Sequence, residues 1–200
     1  MNLVSTDSRQ AMSTEARNDY SDQDRDILDY CQAEFNTLKE SAPNALFYIA
    51  RSKNKNMVVY EVNLRDGAVV ADDPVLVYWM DVDPEYRAKN RKNGVTSDRS
   101  DLNFMEKSMA YGVSGSKNAT TDGSETYNVK MVAIPDTTFT MKKNSDGQYV
   151  VVAEIDGVEC VVTRVYVKSQ ERTFLPPKCI YVDLTGVDAS GVVHTKRITP

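Results

Sequence analysis

Five dipeptides of one kind constrain this chain more than any other feature: Asp66-Gly67, Asn93-Gly94, Asp122-Gly123, Asp146-Gly147 and Asp156-Gly157. Asn, Asp and Gly tolerate the positive φ that tight hairpin turns require. Two of the five bracket residues 148–155, a segment of strand length. A three-strand meander over 138–142, 148–155 and 158–168 follows. A second hairpin joins 180–187 to 192–199 through Ala189-Ser190-Gly191. Near the front, 46–51 pairs with 57–64, and 75–82 adds another strand. In 148–155, Tyr149, Val151, Ala153 and Ile155 lie on one face, and Val150 and Val152 on the other. Sheets with one solvated face alternate more cleanly, so a covering segment or a partner is expected.

β-branched residues mark where strands begin. Residues 1–44 hold five Val, Ile or Thr, whereas 125–200 hold twenty-seven. These stiff side chains suit a pleated surface. Residues 1–20 are polar and aperiodic, which predicts a tail that is disordered or ordered only by a partner. Residues 21–42 predict an amphipathic helix, with Ile27, Leu28, Cys31, Phe35 and Leu38 on one stripe. Asp22, Asp24 and Asp26 oppose the positive end of its dipole, and Ser41-Ala42-Pro43-Asn44 stops it. A short second helix precedes Tyr111, with Ser97 or Ser100 as N-cap and Leu102, Met105 and Met109 as its apolar face. The fold expected is mainly β. It is a single antiparallel β-sandwich or barrel of about eight strands over 43–200, with an N-terminal helix and one short inserted helix.

Composition removes several functions. The chain has 200 residues, net charge −5, one histidine and three cysteines. Nucleic-acid binding usually needs a basic face, so it is not expected. The longest apolar runs, 45–50 and 75–80, cannot span a bilayer. Neither a signal peptide nor a simple lipid anchor is legible, which predicts an intracellular, cytoplasmic location without membrane insertion. His194 cannot form a paired-histidine zinc site alone. Cys31, Cys160 and Cys179 lack a C-x-x-C spacing and are read as reduced thiols. No metal and no cofactor is expected. Asp22-x-Asp24-x-Asp26 starts like a calcium loop, but Ile27 and Ala33 stand where Gly and Glu are needed.

Four ordered blocks resemble an uncharacterised domain family with bacterial and eukaryotic members, catalogued as of unknown function. The first is Leu46-Phe47-Tyr48-Ile49, followed by Arg51-Ser52-Lys53-Asn54-Lys55-Asn56 and Val58-Val59-Tyr60. The others are Pro74-Val75-Leu76-Val77-Tyr78-Trp79, Ala110-Tyr111-Gly112-Val113, and Leu175-Pro176-Pro177-Lys178 leading into Ile180-Tyr181. The likeness spans about residues 44–200 and implies a shared fold rather than an activity.

Candidate ligand or partner contacts are Arg51, Asn54, Asn56, Tyr60, Trp79 and Tyr111. Arg forks to a carboxylate or phosphate, and an Asn amide both donates and accepts. The competing explanations are structural: Asn serves turns, and strand aromatics fill cores. Ile27, Leu28, Phe35 and Leu38 are the candidate partner-binding helix face, since an appended helix must pack its stripe somewhere. Arg87, Lys89, Arg91 and Lys92 read as a solvated basic loop. Ser114 in Gly112-Val113-Ser114-Gly115-Ser116 misses the nucleophile-elbow pattern at its last position. Ser114, Cys160 or Cys179 with His194 is the weak catalytic pairing, and no catalytic residue is assigned. The function expected is a non-catalytic protein-binding or structural accessory component of a larger assembly. The alternative is a small-ligand-binding protein or enzyme with a Tyr/Arg-lined pocket.

Overall fold

Every strand expected from the turn chemistry forms, and the sheet they build is a curled half-barrel. The computed structural model describes residues 19–118, 124–173 and 175–199. Most of the expected tail, residues 1–18, and the turn Asp122-Gly123 lie outside the described residues.

Helix α1, Asp22–Ser41, is followed by β1 (Ala45–Arg51), β2 (Asn54–Val62), the small pair β3 (Leu64–Arg65) and β4 (Ala68–Val69), and β5 (Val75–Met80). Helix α2 (Pro84–Lys92), β6 (Arg99–Asp101), the single turn α3 (Phe104–Glu106) and a π-turn at Lys107–Tyr111 lead to β7 (Val113–Lys117). Then come β8 (Tyr127–Met131), β9 (Phe139–Lys143), β10 (Tyr149–Ile155), β11 (Val158–Arg172), β12 (Leu175–Val187) and β13 (Val193–Ile198). The main sheet runs β6-β5-β2-β1-β11-β10-β9-β8-β7, with β12 on β11 and β13 on β12.

The long β11 organises the curl. Its residues 158–161 pair with β10, while Tyr48↔Arg164 through Arg51↔Val167 pair it with β1. β12 occupies the opposite edge, so β10 and β1 share one edge in succession. The β1–β11 pair is parallel. This corrects the wholly antiparallel expectation, and the strands outnumber the eight expected. Hairpin dipeptides report only strands joined by a tight turn; a parallel pair needs a long crossover, which leaves no local signal.

Alternation along β1 sends Phe47, Ile49 and Arg51 to the inner face and Tyr48 and Ala50 to the outer. Phe47 and Ile49 join Val58, Tyr60, Tyr127, Phe139 and Val165 in the inner core. The outer side chains meet α1: Ile27, Leu28, Cys31 and Phe35 pack with Tyr48, Ala50, Met57, Val59 and Tyr166. The stripe Ile27, Leu28, Phe35 and Leu38, a candidate partner-binding face, packs instead on the chain's own sheet, with Leu38 partly buried at its end. The reason is apolar area: β1 and β2 carry large side chains on both faces, and α1 removes the outer set from water.

The start of α1 is clamped by polar contacts. Ser21 caps it by accepting from the Asp24 amide at 3.2 Å. The buried Asp24 carboxylate accepts from Tyr166 Oη and Lys168 Nζ, both at 2.6 Å. Burial alone raises its pKa, but the bonds from Lys168, Tyr166 and Ser21 outweigh that and leave it below the usual range. Tyr20 Oη donates to buried Asp183 at 2.7 Å, and Arg197 forks to the same carboxylate with both nitrogens at 2.9 Å.

Two helical expectations change. Arg87, Lys89, Arg91 and Lys92 stand on α2, not in a loop. Asp83 caps it, accepting from the Glu85 and Tyr86 amides, and Pro84 opens it. Asn93-Gly94 ends this helix rather than a hairpin, with Gly94 at φ 79°. No residue of α2 is buried, so it has no apolar stripe to read. The inserted helix is capped by Asn103 through a reciprocal box with Glu106, not by Ser97 or Ser100. Leu102 is buried, but Met105 and Met109 are exposed rather than forming a packed face.

Candidate functional site

Arg51, Trp79 and Tyr111 come from three separate elements and meet at one end of the inner face. Arg51 ends β1, two residues beyond Ile49 on the same face. Trp79 continues the inward series Val75, Val77, Trp79 on β5, which the Val58↔Trp79 register brings beside β2. Tyr111 arrives on the π-turn. Such turns are rare and frequent at functional sites.

The guanidinium of Arg51 lies over the Trp79 ring at 4.3 Å, and Tyr111 meets Trp79 edge-on at 5.2 Å. Stacking of this kind contributes about 0.5–2 kcal/mol, depending on desolvation. Arg51 Nη1 donates to Tyr111 Oη at 3.5 Å and Nη2 to Asn54 Oδ1 at 3.3 Å. Both contacts are long and both acceptors are neutral. Nε is buried without a partner. Among the described residues, no carboxylate oxygen lies within 4.0 Å of Arg51. The side chain is thus oriented and half-buried, with no carboxylate in contact, although the Asp81 carboxylate is near enough to feel its charge.

The other candidates support this geometry from behind. Tyr60 is fully buried, stacks on Phe47 at 4.5 Å, and donates to the Tyr111 carbonyl at 2.8 Å. Burial pushes its phenol far above the ordinary value. Buried Asn56 accepts from the Asp83 amide at 2.9 Å, while Asp83 Oδ2 accepts from the Lys55 amide at 3.2 Å. That exchange ties α2 to β2, so Asn56 is a brace. Asn54 Oδ1 also accepts from the Asn56 amide at 3.2 Å, which shapes the β1–β2 turn.

Gly112 belongs to the Ala110-Tyr111-Gly112-Val113 block, and its role is steric: it seats Tyr111. Its φ of −61° suits any residue. A Cβ there would lie 1.9 Å from the Lys107 carbonyl oxygen, so only glycine lets the chain leave the π-turn toward β7.

Two open hollows flank the cluster. One of about 510 Å³ lies between the starts of α1 and α2, walled by Asp26, Lys53, Asn54, Lys55, Asp83 and Lys89. Another of about 320 Å³ lies between β5 and β7, against Val75, Val77, Arg99, Lys107 and Val113. Neither has Arg51, Tyr60 or Tyr111 in its wall.

Among the described residues, His194 makes no hydrogen bond to Ser114, Cys160 or Cys179. His194 Nε2 is 2.8 Å from Asp188 Oδ2 at the β12–β13 hairpin, whereas Ser114 is on β7 at the end of the strand order. Burial raises the Cys160 and Cys179 thiols, the wrong direction for a nucleophile. Among the described residues, no three His, Cys, Asp or Glu side chains gather as a metal-binding group. No helix among them is long and apolar enough to cross a membrane.

A family model described as Domain of unknown function (DUF4833) matches residues 47–197. The chain belongs to the DUF4833 family. No curated protein and no solved structure matches it. Arg51, Trp79, Tyr111 and the bracing pair Asn56 and Tyr60 all lie inside the DUF4833 span. Helix α1 precedes that span, although it covers the outer face of the DUF4833 sheet.

Proposed function

We propose that this chain is a non-catalytic binding component of a larger assembly, and that the cluster around Arg51 receives an acidic side chain of a protein partner. One observation carries the reading: an arginine with no carboxylate of the described residues within 4.0 Å, held over an aromatic ring. Arg25, Arg87, Arg91, Arg99 and Arg197 each have a carboxylate oxygen within 3.5 Å. Among the described residues, Arg51 and the exposed Arg65 have none within 4.0 Å, and of these two Arg51 is the one that is half-buried and stacked on a ring.

The physical argument is pre-organisation. Arginine loses considerable rotamer freedom when a partner fixes it. Stacking on Trp79 imposes that loss beforehand, so less of the binding energy is spent on ordering. The planar fork matches a carboxylate in two parallel hydrogen bonds. The interior argues for a surface acceptor over the alternative, an enclosed small-molecule pocket. Phe47, Tyr60, Tyr127 and Phe139 fill it and are fully buried.

Trp79 is the one tryptophan of the chain, so its emission reports this cluster without a label. A capped glutamate-rich decapeptide is expected to shift Trp79 emission saturably, and a lysine-rich one is not. Arg51→Gln is expected to weaken the glutamate peptide by about tenfold or more, the loss typical of a central interface arginine. Equal affinity for wild type and Arg51→Gln refutes the proposal. Acetate or inorganic phosphate binding as tightly as the peptide transfers the site to the small-ligand alternative.

A further inference from the structure

Resting on that reading of Arg51, we infer that the partner segment carries an apolar run close to its acidic residue, and that this run lands on Phe104, Met105 and Met109. These side chains are 83%, 63% and 67% exposed. Singly exposed hydrophobics are ordinary, but three large ones within six residues of one capped helical stretch offer an interaction surface.

The support is rigid by several contacts. Asn103 accepts from the Glu106 amide and Glu106 accepts from the Asn103 amide, both at 2.9 Å. The π-turn continues directly from that cap to Tyr111. Tyr111 is then held by the Tyr60 hydroxyl and by the close approach at Gly112. The apolar side chains are therefore fixed relative to the Arg51 cluster.

Spacing follows from chain geometry. Residues 104–111 span at most about 12 Å at 1.5 Å per helical residue. An extended partner covers that in about three to five residues at roughly 3.3 Å each. Charge decides the orientation. Among the described residues, Arg51 has no carboxylate within 4.0 Å, with Asp81 acting on it only at longer range, and the Glu106 carboxylate beside the exposed side chains is turned back onto its own cap. An acid of the partner thus meets, at the Tyr111 end, a stacked guanidinium with no carboxylate in contact. Phenylalanine gives the other end a large anchor, and two methionines adapt to varied apolar side chains.

The test uses the full chain and capped peptides, each with one glutamate and a Leu-Phe-Leu run separated by none to eight Ser/Gly residues. Binding is read from Trp79 emission and by calorimetry for wild type, Arg51→Gln, and the triple variant Phe104→Ser/Met105→Ser/Met109→Ser. The tripled positions are solvent-exposed, so folding is expected to survive, with circular dichroism as the check. Wild type is expected to prefer spacers of about three to five residues. The triple variant is expected to lose that preference and about tenfold in affinity, while binding the glutamate-only peptide as before. If Arg51→Gln weakens binding but the triple variant and the spacer do not, this inference fails and the acidic-acceptor reading stands. If Arg51→Gln binds like wild type, both fail. Loss in the triple variant of wild-type self-association, or of adsorption to phosphatidylcholine vesicles, overturns the peptide occupant in favour of a second copy or a lipid surface.

Discussion

Gly112→Ala probes the one backbone contact on which the candidate site depends. The added Cβ would lie 1.9 Å from the Lys107 carbonyl oxygen and 2.8 Å from its carbon. Both are backbone atoms, so no side chain can swing aside. The π-turn must open, and Tyr111 moves with it. The buried Tyr60 hydroxyl then loses its acceptor, at about 1–3 kcal/mol. The edge-on contact with Trp79 goes too, at about 0.5–1.5 kcal/mol. The expected loss is about 2–4 kcal/mol. With a urea slope of about 2 kcal/mol per molar, the unfolding midpoint falls by roughly 1–2 M. Native Trp79 emission changes as well, because its neighbour has left. Gly94→Ala is the reference: Gly94 has φ 79° and nothing within 4 Å. It is expected to cost about 1–2 kcal/mol of left-handed strain and to leave Trp79 emission unchanged. A Gly112→Ala protein with wild-type midpoint and emission refutes the argument that glycine is required there.

Phe35→Ala is expected to destabilise the fold by about 3–5 kcal/mol in the same urea assay. Phe35 is 4% exposed and tilts against Tyr48 at 4.8 Å; an unchanged midpoint would mean that α1 does not belong to this core. Asp183→Ala leaves Arg197 and Tyr20 without their shared acceptor. A loss of about 3 kcal/mol, as for breaking a buried ion pair, and faster proteolysis before residue 30 are expected; a wild-type cleavage rate counts against the clamp. Glu125 is held down to about 2, first by the Tyr127 hydroxyl and then by Lys117, from an ordinary 4.5. Its folded value lies below its unfolded one, so its contribution is present above about pH 4.5 and lost as pH falls toward 2. Glu125→Gln should flatten the pH dependence of the unfolding midpoint across that window, and an unaltered slope contradicts the assignment.

The meander β9–β10–β11 was legible because its turns are chemical signatures. Asp156 and Gly157 sit at φ 51° and 83°, the left-handed pair that a two-residue hairpin needs. Helix α1 was legible from the spacing of Ile27, Leu28, Cys31 and Phe35, which is the stripe that packs. Helix α2 went unread although Asp83-Pro84 is a capping signature, because a helix that buries nothing carries no period. Arg51, Trp79 and Tyr111 were legible as residue types worth testing, but their mutual contact was not.

Residue chemistry alone determined the hairpins, the amphipathic helix and the scarcity of titratable catalysts, because each depends on neighbours within a few positions. Only the tertiary structure decided what covers the outer face of β1 and β2. A helical stripe looks the same whether it meets its own sheet or another protein, and here Tyr48, Met57 and Val59 claim it. Only the tertiary structure decided that Arg51 lies over Trp79 with no carboxylate of the described residues within 4.0 Å. That outcome depends on the β1–β2 and β2–β5 registers and on the π-turn that delivers Tyr111, all of which are set by long-range packing.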